Sequence, residues 1–366
     1  MQAERFRSLF DAKGPYASVY FDDSHDTEDA DAQQHLKWRA VRTELEQLGA
    51  PADVVDGMED AVLGAPPAVG RSGRGVIAGQ DGVLVDERLI RPIENPVIRY
   101  ADLPYVVPIV EHGAWHATYV VATVDHAGGD VALHRGGKVV AEEVDGGGYP
   151  VHKADSAETP GYGDPQRRTM EAGRKNLRAV AARLAQLVDE VAPDIVFVVG
   201  EVQSRADLGP TLEERVAALV VELDVGARDS GIDDAEVDHA IEQELLKRRL
   251  AAMDAAAQQF SQAVGQRSGL AVEGVGPVCE ALRAGAVETL LVGDMGDRTV
   301  VADDDLLTVA PDADVLSELG AAPTHTLRAD EALPGAAIMT GAAVLRVDER
   351  LAPQDGIAAV LRFALP

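Results

Sequence analysis

Short runs of β-branched and aromatic residues alternate along the chain with longer stretches in which apolar residues recur at helical spacing. Residues 16–21 form the first such run, and Leu36, Val41 and Leu45 then recur as on one side of a helix. Glycines stand between neighbouring apolar runs, where tight hairpin turns need them. This order of strands and helices predicts a mixed α/β protein.

Breaks in the pattern predict three domains. Residues 1–104 form an N-terminal α/β domain that ends in a stretch punctuated by prolines. Residues 105–230 form a middle domain with three short strands, a long loop at 146–166, a long helix and a fully apolar strand. Residues 231–366 begin with an acidic connector and form a C-terminal α/β sandwich.

Some elements of these domains can be given bounds. In the middle domain we expect the long helix over residues 166–191 and the apolar strand over 195–199, followed by a helix over 211–219. In the C-terminal domain, residues 237–264 predict another long helix. Ala337-Ile338-Met339 and Leu361-Arg362-Phe363 predict two strands there.

The composition is that of a globular protein and limits its partners. Of the 366 residues, 46% are hydrophobic and 26% are charged, which fits folded domains. With 33 Lys and Arg against 62 Asp and Glu, the net charge of -29 argues against coating nucleic acid by bulk charge, although a focal basic patch remains compatible with it. The single cysteine, Cys279, excludes an intramolecular disulfide framework and is expected to be a small buried hydrophobe.

We expect a cytoplasmic protein. The first residues carry charges where a signal peptide needs an apolar stretch. The longest uncharged run near the C-terminus, residues 332–345, contains Pro334 and is shorter than the roughly 20 apolar residues that cross a bilayer.

The helix after the long loop concentrates positive charge in an acidic chain. Between residues 166 and 183, Glu171 is the only acidic residue among six basic ones. At about 100° per residue, four of these fall along one flank beside an apolar stripe; they are Arg167, Arg174, Lys175 and Arg178. The cluster predicts a focal site for phosphates or another polyanion. The alternative is a solvated face whose cations pair with acidic residues elsewhere in the protein.

The sequence offers little for metal or acid–base chemistry. Asp125 ends the first strand of the middle domain, where a nuclease of ribonuclease H-like architecture would hold a metal, and other acids are near it in sequence. His112 and His116 are spaced for zinc only if they lie on a helix, and the Glu of the usual helical motif is absent. We predict no catalytic residue, no metal site and no cofactor.

One run in the third segment resembles a known family signature. Residues 278–292, Val-Cys-Glu-Ala-Leu-Arg-Ala-Gly-Ala-Val-Glu-Thr-Leu-Leu-Val, resemble the helix–turn–strand signature in the third domain of archaeo-eukaryotic peptide-chain release factors and Pelota, with Gly285 at the helix C-cap. The order of elements in the middle segment is similar to that family's second domain. The strand Ser18-Val19-Tyr20 and the helix after it resemble the bacterial archaeo-eukaryotic release factor family, which includes the ribosome hibernation factor Balon and its actinobacterial relatives.

The resemblance implies a fold and a site. It implies a ribonuclease H-like middle domain and a C-terminal domain of the kink-turn RNA-binding ribosomal protein type. The loop from His152 to Gln166 is expected to approach the peptidyl transferase centre, and the helix to contact ribosomal RNA backbone. The implied RNA-binding residues are His152, Lys153, Tyr162, Gln166, Arg167, Arg168, Arg174, Lys175 and Arg178.

The chain departs from the family at the catalytic loop. Release factors carry Gly-Gly-Gln before the basic helix, whereas residues 161–166 here are Gly-Tyr-Gly-Asp-Pro-Gln. No glycine pair precedes Gln166, and Pro165 restrains the backbone there. We therefore expect a ribosome-binding hibernation or stress factor that occupies the vacant A site without releasing peptide, with elongation factor Tu as a candidate partner. The alternatives are a peptidyl-tRNA-hydrolysing rescue factor and a metal-dependent RNA nuclease.

Overall fold

The computed structural model describes residues 4–25, 30–66, 71–113, 118–125, 129–135, 138–144, 165–225, 234–304, 308–347 and 350–366. The helices are α1 (Glu4–Asp11), α2 (Ala30–Gln47), α3 (Ala52–Gly64), α4 (Val107–His112), α5 (Pro165–Val191), α6 (Val202–Leu208), α7 (Glu214–Ala217), α8 (Asp234–Gln266), α9 (Val275–Arg283), α10 (Ala313–Glu318) and α11 (Ala329–Met339). The strands are β1 (Tyr16–Asp22), β2 (Gly73–Gly79), β3 (Gly82–Leu89), β4 (Val97–Ala101), β5 (Tyr119–Val124), β6 (Gly129–Arg135), β7 (Lys138–Val144), β8 (Ile195–Gly200), β9 (Val220–Glu222), β10 (Ala271–Glu273), β11 (Val287–Val292), β12 (Thr299–Ala302), β13 (Val309–Ala310), β14 (His325–Arg328), β15 (Ala343–Arg346) and β16 (Ile357–Leu361).

The mixed α/β fold predicted from the sequence is confirmed. By its internal contacts the chain divides into two compact units, residues 115–250 and residues 1–114 with 251–366. One unit therefore combines most of the first and third predicted domains. Among the described residues, none of the helices is long and apolar enough to span a membrane.

The N-terminal part of the first unit is a four-stranded antiparallel sheet in the order β3-β2-β1-β4. The central strand β1 is buried on both faces, and its side chains alternate between them. Ala17, Val19 and Phe21 pack against α2 and α3. Tyr16 and Tyr20 point the other way, into a core formed with the C-terminal part of the chain. The second face of this sheet is thus covered by residues far away in sequence.

The C-terminal part is a sandwich around a four-stranded sheet in the order β10-β16-β11-β15, in which β11 and β15 are parallel. On one face Phe260 of α8 packs against Leu291. On the other face Leu290 packs in the same core as Leu282 of α9 and Leu333 of α11. A separate small sheet has the order β13-β12-β14. The α/β sandwich predicted for this segment is confirmed.

A polar cluster also links the N-terminal sheet to α11. The guanidinium of Arg99 on β4 donates to both carboxylate oxygens of Asp330, at 3.0 and 2.8 Å, and to Glu331 at 2.8 Å. The same guanidinium lies 3.5 Å from the centre of the Tyr105 ring. Burial alone would raise the pKa of Asp330, but hydrogen bonds from Arg99 and Arg328 outweigh it and hold the pKa below its ordinary value. Burial dominates at Glu331 and raises its pKa despite Arg99.

The middle unit contains a five-stranded mixed sheet in the order β7-β6-β5-β8-β9. The strands β5, β6 and β7 form an antiparallel meander, and β8 and β9 continue the sheet in parallel with β5. On one face α5, α6 and α7 pack against it, and on the other Val237 and Ile241 of α8 cover it. The middle unit is therefore a mixed sheet with helices on both faces.

Three of the predicted elements are wrong or displaced. Ala337-Ile338-Met339 is the end of helix α11 and not a strand. The last strand, β16, ends at Leu361, so the strand predicted over residues 361–363 is placed too late. The helix expected over 211–219 is confined to α7, and α6 before it was not predicted. These segments are short or buried on all sides, so that they lack a clear period.

Candidate nucleic-acid interface

Helix α5 holds the basic cluster and is fixed by an apolar stripe. Pro165 stands at its first position, where the missing amide proton costs nothing. Leu177, Val180 and Leu184 are buried against the middle sheet, at the i, i+3 and i+7 spacing of one helix face. The predicted helix is therefore confirmed, together with the stripe that anchors it.

The N-terminal half of α5 extends beyond the edge of the sheet. Val180 lies level with Gly129 at the start of β6, since a Cβ at Gly129 would lie 3.2 Å from a methyl carbon of Val180. Gly129 pairs with Val124 and Val144, so this is the edge at which β5 and β7 end. From Pro165 to Val180 the helix rises by fifteen steps of 1.5 Å, or about 22 Å. The helix start therefore projects well past the sheet.

The described basic residues of this projecting half are exposed. Arg174, Lys175 and Arg178 all have exposed side chains, and the spacing of three and four residues between them makes them neighbours on the helix surface. Within the described part of the chain, neither Arg174 nor Arg178 forms an ion pair with a carboxylate. Their positive potential is thus directed toward solvent, as a phosphate-binding surface requires.

Arg183, one turn and a half further along, behaves differently. Its guanidinium donates to Glu142 on β7 and lies 3.7 Å from Glu190. Here the alternative considered for the whole cluster, pairing with the protein's own carboxylates, holds. The exposed basic surface consequently ends before Arg183.

The other predicted RNA-binding residues cannot be placed in the same way. His152, Lys153 and Tyr162 lie outside the described residues. Gln166, Arg167 and Arg168 belong to the first two turns of α5, where the backbone alone is described. Their roles stay predictions from the sequence.

Two acidic residues directly follow two paired strands at the edge from which α5 projects. Val124 and Gly200 are partners in the parallel pairing of β5 and β8, and the amide of Glu201 donates to the Val124 carbonyl at 3.2 Å. Asp125 and Glu201, the next residue of each strand, are both exposed. Among the described residues there is no group of three His, Cys, Asp or Glu side chains that could hold a metal ion.

The sequence analysis named Asp125 but missed Glu201. The signal that could have found it is Gly200, a glycine at the end of a fully buried strand and directly before an acid. Its φ is +118°, and a Cβ there would lie 2.1 Å from the Val124 carbonyl oxygen, so only glycine allows the two strand ends to approach.

The two predicted histidines are not brought together by a helix within the described chain. His112 ends α4, and its Nε2 lies 3.6 Å from the adjacent Glu111. His116 lies outside the described residues. The described residues therefore give no support for a zinc site at these two histidines.

Fold and surface together define a multidomain α/β protein, acidic overall, with an exposed basic helix on its middle sheet. Residues 118–266 match the model of bacterial archaeo-eukaryotic release factor family 2. Two proteins of Mycobacterium tuberculosis, named uncharacterized protein Rv2629 (strain H37Rv) and uncharacterized protein MT2704 (strain CDC 1551), are each 50% identical over 364 residues, which covers 100% of this chain and 97% of theirs. The chain belongs to the bacterial archaeo-eukaryotic release factor family, as the sequence predicted.

Solved structures of low sequence identity also align over most of the chain. The archaeal translation termination factor aRF1 is 16% identical, with 99% of both chains covered and a TM-score of 0.26. Pelota from Archaeoglobus fulgidus is 14% identical, with 99% of this chain and 92% of Pelota covered and a TM-score of 0.36.

Proposed function

We propose that this protein is a ribosome-binding factor that occupies the vacant A site of the bacterial ribosome without releasing peptide, and so keeps translation silent under stress. The observation that carries the proposal is the exposure of Arg174 and Arg178 on a helix that projects from the middle sheet. Membership of a release-factor-related family supports the ribosome as the partner.

Electrostatics explains how an acidic protein would select such a partner. With a net charge of -29, most of the surface repels phosphate, whereas the exposed face of α5 attracts it. Net binding then requires an RNA surface that meets the helix while leaving the acidic parts at a distance. The contacts would be to RNA backbone and would position the protein rather than read sequence.

The absence of a glycine pair before Gln166 supports occupation without hydrolysis. Pro165 fixes φ directly before the glutamine, in a family where free backbone geometry at that place positions water against the ester. Elongation factor Tu enters as a candidate partner through the family resemblance.

Charge reversal on α5 tests the proposal. In the double variant Arg174→Glu and Arg178→Glu, co-sedimentation with vacant ribosomes should weaken, because two attractive interactions with phosphate become repulsive. The affinity should also depend less steeply on salt: the magnitude of the slope of log affinity against log salt should decrease by about one for each phosphate that is no longer neutralised. Both quantities come from co-sedimentation over a series of salt concentrations.

Arg135→Glu is the matched control. Arg135 is an exposed arginine of the same sheet, at the end of β6 that lies roughly 20 Å from Gly129. This variant should bind ribosomes as the wild type does. Equal weakening in both variants would mean that general charge, and not α5, governs binding, and unchanged binding of the double variant would refute the proposal.

A rescue factor that hydrolyses peptidyl-tRNA is the second candidate, because Gln166 stands directly before the basic residues as the glutamine of release factors does. On ribosomes carrying peptidyl-tRNA, our proposal expects binding with no release above background, in both the wild type and Gln166→Ala. Release by the wild type that disappears in Gln166→Ala would establish the enzyme instead.

The nuclease alternative depends on Asp125, which follows β5 as Glu201 follows the paired strand β8. It requires RNA cleavage that depends on a divalent metal and disappears in Asp125→Asn. The ribosome-binding proposal expects intact RNA under those conditions.

A further inference from the structure

Strand β7 presents an apolar edge in the middle unit. Within the described residues it pairs with β6 alone, and its register with β6 runs unbroken from Val144 to Lys138. Two adjacent valines on it are largely exposed, Val139 by 57% and Val140 by 65%. Neighbouring residues of a strand point to opposite faces, so both faces of this edge are apolar there.

Such an edge is unusual for a protein that stays monomeric. Soluble proteins blunt their edge strands with charged side chains, proline, bulges or strong twist, because open N–H and C=O groups pair with other strands. The seven residues of β7, Lys-Val-Val-Ala-Glu-Glu-Val, contain neither proline nor bulge. The charged residues of β7, the lysine at 138 and the glutamates at 142 and 143, lie on either side of the exposed valines. Their positions determine which partner strand fits this edge.

That partner follows from symmetry. In β7 only every second residue directs its N–H and C=O away from β6. When two copies of β7 pair edge to edge in antiparallel fashion, these residues must oppose each other, so the two-fold axis lies between one residue and its own copy. With the axis at Val140, Val140 opposes its own copy and Val139 opposes Ala141. The lysine at position 138 then opposes the glutamate at 142 on both sides of the axis.

The neighbouring register is poorer. With the axis at Ala141, Val140 opposes Glu142, Val139 opposes Glu143, and the lysine opposes Val144, so that no opposite charges meet. Glu142 already binds Arg183, but its side chain remains 41% exposed. It can therefore also meet the lysine of the second copy when the axis lies at Val140. Charge and apolar matching therefore both favour the axis at Val140.

We infer that β7 is a homodimer interface, at which two copies of this chain join their middle sheets into one continuous sheet with the two-fold axis at Val140. The occupant is a second copy because the strand is complementary to itself in this register. This inference is independent of the ribosome proposal, since the basic surface of α5 has no part in it.

Sedimentation velocity of the full-length chain over a range of concentrations tests the inference. It should be measured at about 0.15 M salt, where the Debye length of about 8 Å limits the general repulsion between two acidic molecules. We expect a reversible monomer–dimer equilibrium. Val140→Lys should abolish the dimer, because two ammonium groups would meet at the axis. Lys138→Glu should weaken it roughly ten-fold, since two attractive pairs become repulsive.

Two further variants make the test specific. The charge swap of Lys138→Glu with Glu142→Lys should restore most of the dimer. The control Glu143→Lys changes the charge as Glu142→Lys does, but residue 143 has no partner in the strand of the other copy, so the dimer should persist. A monomer at every concentration overturns the inference, and so does a dimer that survives Val140→Lys, which would place the contact elsewhere or with another segment.

Discussion

At the residue scale, Cys279 shows what composition and local pattern can predict. A lone cysteine among alanines and leucines predicts a small buried hydrophobe, and its side chain is 0% exposed in the core of the first unit. Burial raises the pKa of the thiol to about 12. The sequence was sufficient here because a free cysteine beside apolar neighbours is usually buried.

Because Cys279 is buried, the rate at which a reagent modifies its thiol measures how often the surrounding core opens. At pH 8 a thiol with this pKa is ionised in about one molecule in ten thousand, and its burial excludes the reagent as well. We expect the native protein to resist iodoacetamide, as followed by intact mass, and the denatured protein to take up one label. Rapid labelling of the native protein would show that α9 opens readily or that the thiol is accessible.

At the same scale, helical spacing does not predict which residues of α2 are buried. Leu36 shares the predicted helix face with Val41 and Leu45, yet it is 59% exposed. Trp38, which the spacing did not select, is buried against β1. Helical spacing gives a stripe but not its width, and tertiary packing decides which positions at its margins are covered.

At the element scale, the long helices were predicted, whereas the end of the buried helix α11 was predicted as a strand. Helix α5 has a clear apolar period and α8 is rich in residues that favour helices, and the structure places both as predicted to within a few residues. In α11, nine of the eleven residues are buried. A helix that is apolar all round has no period, and Pro334 within it argued for a strand or turn.

The ends of α9 and α11 are joined by one side chain, and this contact can be tested. Gly285 and Gly341 follow these helices with φ values of +63° and +71°. The guanidinium of Arg362 donates to both their carbonyls, at 3.0 and 2.9 Å. Arg362→Ala should lower the free energy of unfolding by about 1 kcal/mol, because two helix C-termini would no longer have a cation beside them.

Chemical denaturation followed by circular dichroism measures this effect. Arg362→Lys is the control, since it keeps the charge but cannot reach both carbonyls, and an intermediate decrease in stability is expected. If Arg362→Ala is as stable as the wild type, solvent replaces both hydrogen bonds at no cost.

The candidate site was predicted in part at this scale. Helical spacing was enough to place Arg174, Lys175 and Arg178 on one exposed surface, because a 27-residue helix has a regular surface. The pairing of Arg183 with Glu142 depends on the height at which α5 crosses β7, which no local pattern encodes.

At the scale of the whole molecule, the first and last segments of the chain form one unit, which local patterns could not predict. Arg99 and Asp330 are 231 residues apart in sequence and form an ion pair. Each segment on its own has an α/β pattern, which is why the sequence predicts three domains. The shared core appears only when both segments are placed together.

Removing Arg99 should destabilise both segments at once. In Arg99→Met, Glu331 loses its cation while its side chain stays 3% exposed, whereas Asp330 keeps Arg328 as a partner. An unpaired buried charge of this kind costs roughly 3 kcal/mol. Hydrogen exchange measured by mass spectrometry should show faster exchange in β1 and β4 and also in β11 and α11. The strands β5 and β8 of the middle unit should be unchanged.

Arg42→Met is the control. Arg42 also pairs with carboxylates, those of Glu46, Asp56 and Glu59, but on a solvent-screened surface between α2 and α3. Its effect should be much smaller and confined to those helices. Faster exchange in the N-terminal segment alone in Arg99→Met would mean that the two segments do not unfold together.

The shared core has a consequence for biosynthesis. The face of the N-terminal sheet that carries Tyr16 and Tyr20 is completed by side chains of α9 and α11, among them Leu333. More than 200 residues must be translated between the two, which takes on the order of 10–40 s at typical elongation rates. Throughout that interval the nascent chain displays an unfinished aromatic surface, so its yield in the cell should depend on chaperones that bind chains still attached to the ribosome.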